Sequence, residues 1–181
     1  MSDFIEQIPQ RIETLEKAFP STLSTPPTTP VVVLDTNVLL DWLYWGNEEV
    51  AQLKPLLASG WLQLRSRATM QEVAHVLARE GFCGESETVW TLLRDWYAQS
   101  VGLTEDDYVK AREMGVSRCR DPDDQKFLDI AQFSQAQLLI TRDKLVLKAG
   151  KRLKKEGTLV LTPAQAKGWL LSASTGVSSR I

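Results

Sequence analysis

Four acidic residues stand where a carboxylate can do chemistry. Asp35 follows the apolar run Val31-Val32-Val33-Leu34, and Glu72 lies in Met70-Gln71-Glu72-Val73. Asp124 closes Asp121-Pro122-Asp123-Asp124, and Asp143 ends Leu138-Leu139-Ile140-Thr141-Arg142-Asp143. An acid directly after a β-branched run sits at the carboxyl end of a strand, where open α/β sheets bind their ligands. If the strands before Asp35 and Asp143 are parallel neighbours, both side chains emerge at one sheet edge. Each acid also has a plainer use: Asp124 suits an N-cap before Gln125-Lys126-Phe127-Leu128, and Glu72 suits an exposed helix face two turns from Arg79.

Taken together the acids read as a metal site built from carboxylates, which hard divalent cations such as Mg²⁺ and Mn²⁺ favour. Phosphodiester hydrolysis is a common use of such sites. The ion polarises the phosphoryl oxygen and acidifies a water, so no protein nucleophile is required. A zinc site of ordinary type cannot be assembled in one chain, because Cys83, Cys119 and His75 are its only cysteines and histidine. The two cysteines lack metal-ligand spacing and read as free thiols of a reducing cytosol.

The elements that must position these acids follow from hydrophobic patterning. Strands are expected at Val31 to Leu34, Trp61 to Arg65, Ala136 to Thr141 and Thr158 to Thr162. A helix opens after Asp35, and others are expected at Glu48 to Ser59, Ala68 to Glu80, Ser86 to Gln99, Glu105 to Gly115, Asp124 to Gln135 and Pro163 to Ser172. Strands alternating with helices imply an α/β fold with a central, mostly parallel sheet covered on both faces.

Ahead of the first strand, Phe4, Ile5, Ile8, Ile12, Leu15 and Phe19 recur at near-helical spacing, which predicts a short amphipathic helix. Its apolar face is expected to fold back on the domain or pair in a dimer, in preference to docking a separate partner protein. Pro20 to Pro30 is rich in Pro, Ser and Thr and reads as an extended linker without packed structure. The expected division is therefore 1–30 for helix and linker and 31–181 for the domain.

The 181 residues suffice for one domain with a good core, and the net charge of −2 argues against a uniformly basic surface. No apolar run approaches the ~18 residues needed to span a bilayer, and the N-terminus lacks signal-peptide order, so a cytoplasmic protein without membrane contact is expected.

Four blocks in order resemble the PIN domain (PilT N-terminus-like) family, particularly its VapC-type toxin branch. They are Leu34-Asp35-Thr36-Asn37-Val38-Leu39; Ser66-Arg67-Ala68-Thr69-Met70-Gln71-Glu72-Val73; Asp121-Pro122-Asp123-Asp124-Gln125-Lys126-Phe127-Leu128; and Leu139-Ile140-Thr141-Arg142-Asp143-Lys144-Leu145. A closing Leu161-Thr162-Pro163-Ala164-Gln165 is also similar, so the likeness spans Val31 to Trp169.

The resemblance implies a three-layer α/β/α fold and a Mg²⁺- or Mn²⁺-dependent ribonuclease whose acidic set is Asp35, Glu72, Asp124 and Asp143. It implies supporting roles for Thr36, Asn37, Asp121 and Thr141. It further implies an RNA substrate, a small antitoxin protein as partner, and a homodimer. Arg142 departs from the family, where glycine is usual; it would contact the scissile phosphate or pair with an acid.

Arg120, Arg142, Lys144 and Lys148 flank the acidic blocks, with Arg118, Lys151, Arg152, Lys154 and Lys155 nearby, and would attract phosphates. The alternative is an ordinary solvated loop and helix end. Trp42, Trp45 and Trp90 sit in helical apolar patterns that suit packing better than base stacking, with Trp45 beside Gly46 the one expected at the surface. His75 reads as structural. The function expected is a metal-dependent endoribonuclease acting as a toxin component; the rival is an inactive scaffold that binds nucleic acid or a protein.

Overall fold

The computed structural model describes residues 2–23, 27–58, 60–79, 86–115 and 117–174. Cys83 and the last residues expected in the helices ending at Ser59 and Glu80 lie outside them. The chain begins with helix α1 (Ser2–Ala18) and strand β1 (Val31–Leu34), then α2 (Thr36–Leu40), a π-helical turn (Asp41–Trp45), α3 (Glu48–Ala51) and α4 (Lys54–Ala58). Next come β2 (Leu62–Arg65), α5 (Arg67–Leu77), α6 (Ser86–Gln99), β3 (Val101–Gly102) and α7 (Glu105–Met114). The chain continues through α8 (Gln125–Phe133), β4 (Leu138–Ile140), α9 (Lys144–Ala149), a 3₁₀ helix (Gly150–Glu156), β5 (Leu159–Leu161) and α10 (Pro163–Ser174).

All the strand pairings are parallel, in the order β3-β2-β1-β4-β5. Side chains alternate across a strand, and here both faces are dry. Val32, Leu34, Leu138 and Ile140 join a core with residues of α1, α2, α5, α6 and α10. Val31, Val33, Leu64 and Leu139 join a second with Phe127, Leu128, Ile130 and Ala131 of α8. This is the three-layer α/β/α arrangement, and it explains why β1 reads as an unbroken apolar run.

The amphipathic N-terminal helix folds back: Ile8 and Ile12 are fully buried, and α1 packs on α5 and α6. Arg67 of α5 holds Glu16 of α1 at 2.5 Å. The expectation that Pro20 to Pro30 runs without packing is corrected at its start. Thr22 forms a parallel bridge with Gly102, Leu23 is buried, and the Leu23 N–H donates to the Gly102 carbonyl at 2.9 Å. Arg65 secures this corner. Its buried guanidinium donates to the carbonyls of Ser100 (2.9 Å) and Phe19 (2.8 Å) and lies 4.2 Å from the centre of the Tyr97 ring.

Other differences are local. The single helix expected from Glu48 to Ser59 is two short ones, and β3 was not foreseen. Trp42 and Trp90 are buried while Trp45 is exposed, as their patterns suggested. Gly150 is required by a close approach, since a Cβ there would stand 2.3 Å from Val160 Cγ2 of β5. Among the described residues no helix is long and apolar enough to cross a membrane.

Candidate active site

The chain leaves β1 to build β2 and β3 on one side, then returns to place β4 on the other. Such a reversal of strand order opens a crevice at the carboxyl ends of the two central strands. Asp35 follows β1 and Asp143 follows β4, so both stand at that crevice.

Each begins a helix and is fixed by it. Asp35 Oδ1 accepts from the Val38 N–H at 2.8 Å, capping α2. Asp143 Oδ1 accepts from the N–H groups of Leu145 (2.6 Å) and Val146 (3.0 Å), capping α9. Thr141 joins them: its fully buried hydroxyl donates to Asp35 Oδ2 and accepts from the Asp143 N–H at 2.9 Å.

The surroundings make Asp35 a poor anion by itself. Burial pushes its carboxyl up to about 6, and Asp124 adds to the rise, against hydrogen bonds from Thr141, the Val38 N–H and the Arg142 N–H. Asp124 is also raised. Burial is the largest cause, followed by the charges of Asp143 and Asp121; Lys126 opposes them, and Glu72 adds a smaller push. The acids therefore sense one another across the crevice.

The capping account of Asp124 does not hold. It occupies the N-cap position of α8 but its side chain makes no capping hydrogen bond. Asp121 shapes the preceding turn, accepting from the Asp123 N–H at 3.0 Å. Thr36 has a buried hydroxyl with no hydrogen-bond partner among the described residues, and Asn37 is exposed. Burial raises the Cys119 thiol, and the charges of Asp124 and Asp143 add to the rise.

Glu72 faces the crevice from α5, paired with Lys126 of α8 at 2.8 Å rather than with Arg79. Lys126 is the residue that sequence reasoning passed over. Its only signal is its place in Asp124-Gln125-Lys126-Phe127, between an acid and a buried aromatic.

Arg142 turns away from the four acids, to Asp41 (3.0 Å) and Glu49 (3.1 Å), and donates to Asn47 Oδ1 (3.0 Å). Arg120, Lys144 and Lys148 are exposed. His75 is exposed too, with Nδ1 2.6 Å from the Gln71 carbonyl oxygen.

The donor set suits a hard divalent cation in kind, consisting of carboxylates that repel one another on one sheet edge. It is not drawn around a single point. Among the described residues no three carboxylate, thiol or imidazole side chains stand together closely enough to hold an ion. Asp35 and Asp143 are held by their caps and by Thr141, and Glu72 by Lys126.

An all-parallel sheet between two helical layers, with acids at its central crevice, defines a three-layer α/β/α protein. The chain belongs to the PIN domain family, whose model matches residues 31–145. Among solved structures, a chain of VapBC2 from Rickettsia felis bound to a DNA fragment from its promoter is similar, with 13% identity, a TM-score of 0.53, and 73% of this chain and 98% of that one covered. FitAcB from Neisseria gonorrhoeae is similar at 19% identity and a TM-score of 0.49, covering 73% of this chain and 97% of that one. No curated protein sequence matches.

Proposed function

We propose that this PIN domain is a Mg²⁺- or Mn²⁺-dependent endoribonuclease and the toxin component of a toxin–antitoxin pair. The observation that carries the reading is the junction of Asp35, Thr141 and Asp143 at the sheet crevice, with Asp124 close enough to raise Asp35. Asp35, Glu72, Asp124 and Asp143 are the residues that would hold the ion. When bound, the ion would polarise the scissile phosphoryl group and lower the pKa of a water.

The protein's own part is placement. Thr141 orients Asp35 and sets the turn into Asp143, while Thr36, Asn37 and Asp121 support the rim. Arg120, Lys144 and Lys148 attract the RNA backbone, and Arg142, engaged by two acids, contributes less. A cytoplasmic setting, a small antitoxin partner and a homodimer belong to the same reading. The likeness in fold to a chain of VapBC2 supports the antitoxin partner.

The ion pairs that engage Glu72 with Lys126, and Arg142 with Asp41 and Glu49, favour a second reading, an inactive scaffold that binds nucleic acid or a protein. Cleavage of a mixed single-stranded RNA pool with Mn²⁺, Mg²⁺ or EDTA, by wild type, Asp35→Asn and Asp143→Asn, separates the two. Metal-dependent cutting lost in both variants supports the nuclease. No cutting, or cutting that survives both changes, leaves the scaffold.

A further inference from the structure

Lys126 leaves the first turn of α8 and reaches back across the crevice to α5. Its side chain is only 14% exposed, and its Nζ lies 2.8 Å from Glu72 Oε2. It also donates to the Asp123 carbonyl, in the loop that carries Asp124, and passes 5.0 Å from the centre of the Phe127 ring. Withdrawing an ammonium this far from water is costly unless a negative charge repays it. Glu72 is that charge.

The contact has a particular character. Glu72 Oε2 is buried, and its approach to Lys126 lies outside hydrogen-bond geometry. It is an attraction between charges over a short distance. The ammonium also acts beyond its partner, offsetting part of the push that Asp143, Asp121 and Glu72 exert on Asp124. A monovalent cation is thus already built into the acidic crevice, at the carboxylate that belongs to a different helix from the aspartates.

We propose that Lys126 is an internal counter-cation that competes with the divalent ion for Glu72, so that the ion engages the aspartates and reaches Glu72 only by displacing the ammonium. This rests on the metal-site reading given above. It makes the crevice self-neutralising in the absence of metal, and it sets the metal affinity below what four free carboxylates would give. Lys126 is a positioning residue in this scheme, acting through Glu72.

The test is Mn²⁺ binding to the full chain without RNA, followed by calorimetry, for wild type, Lys126→Met, Glu72→Gln and the double variant. Lys126→Met keeps the length of the side chain and removes its charge; it is expected to bind Mn²⁺ roughly ten-fold more tightly or better. Glu72→Gln in the wild-type background leaves Lys126 unpaired beside the aspartates and is expected to weaken Mn²⁺ binding by up to about ten-fold. The double variant should lose the gain of Lys126→Met.

Circular dichroism checks folding, and Lys126→Gln replaces Lys126→Met if the latter fails to fold. Affinity unchanged or weakened by loss of the Lys126 charge overturns the proposal, as does a Lys126→Met gain that the double variant keeps. Mn²⁺ bound equally by wild type and Lys126→Met overturns this inference alone. No Mn²⁺ bound by any form overturns the metal-site reading and this inference with it.

Discussion

Asp35 and Thr141 are 106 positions apart in the chain and share a buried hydrogen bond at the point where β1 and β4 end. Because the same hydroxyl accepts from the Asp143 N–H, one side chain sets the relation of two acids from different strands. Thr141→Val keeps the shape and removes the hydroxyl. It is expected to cost about 1–2 kcal/mol of stability and, on the proposed function, roughly ten- to hundred-fold in RNA cleavage. Thr141→Ser should recover most of both. Denaturant midpoints and cleavage rates check this; a fully active Thr141→Val would show that the junction only supports the fold.

The raised carboxyl of Asp35 makes a prediction about pH in the absence of metal. Its folded value of about 6 exceeds the ordinary 3.8, so between these values the native state binds more protons than the unfolded chain. Stability contributed by this group is therefore complete below about pH 4 and is lost as pH rises through 6, by up to about 3 kcal/mol. Asp35→Asn removes that loss. In EDTA it should melt above wild type at pH 7.5 and level with it near pH 4, and a constant gap across this window would refute the assignment.

Arg65 closes the corner where the N-terminal segment meets β3. Arg65→Met keeps much of the packing over Tyr97 but leaves the Ser100 and Phe19 carbonyls without their donor. A loss of about 2–4 kcal/mol is expected, with earlier proteolytic cutting after Phe19. Urea denaturation and timed proteolysis measure the two effects, and an unchanged cleavage pattern would mean the linker holds to the sheet without Arg65.

Much of this was legible in the sequence where chemistry and chain position coincide. Asp35 and Asp143 could be placed because each follows an apolar strand and precedes a helix, and that local order fixes where they emerge. Helices α5, α6 and α8 follow from unbroken apolar periodicity. The interval from Asp41 to Ala58 was harder, because Gly46 at φ 64° ends the π turn and a further turn at Gln52 and Leu53 divides the next helix.

Strand β3 comprises only Val101 and Gly102, which no alternation can reveal; it exists through its pairing with β2. Lys126 was missed for a similar reason. Its partner Glu72 lies on another helix, and no spacing within α8 points across the crevice.

The Thr22 to Gly102 bridge bears on how the molecule behaves among its copies. A parallel sheet ends in strands with unused backbone donors and acceptors, and a bare edge invites another chain to add to it. Along β3 those groups are engaged from within, with the Gly102 N–H given to the Ser21 carbonyl and the Gly102 carbonyl taken by the Leu23 N–H. The N-terminal segment is thus a guard against self-association at this edge, held in place by one buried arginine.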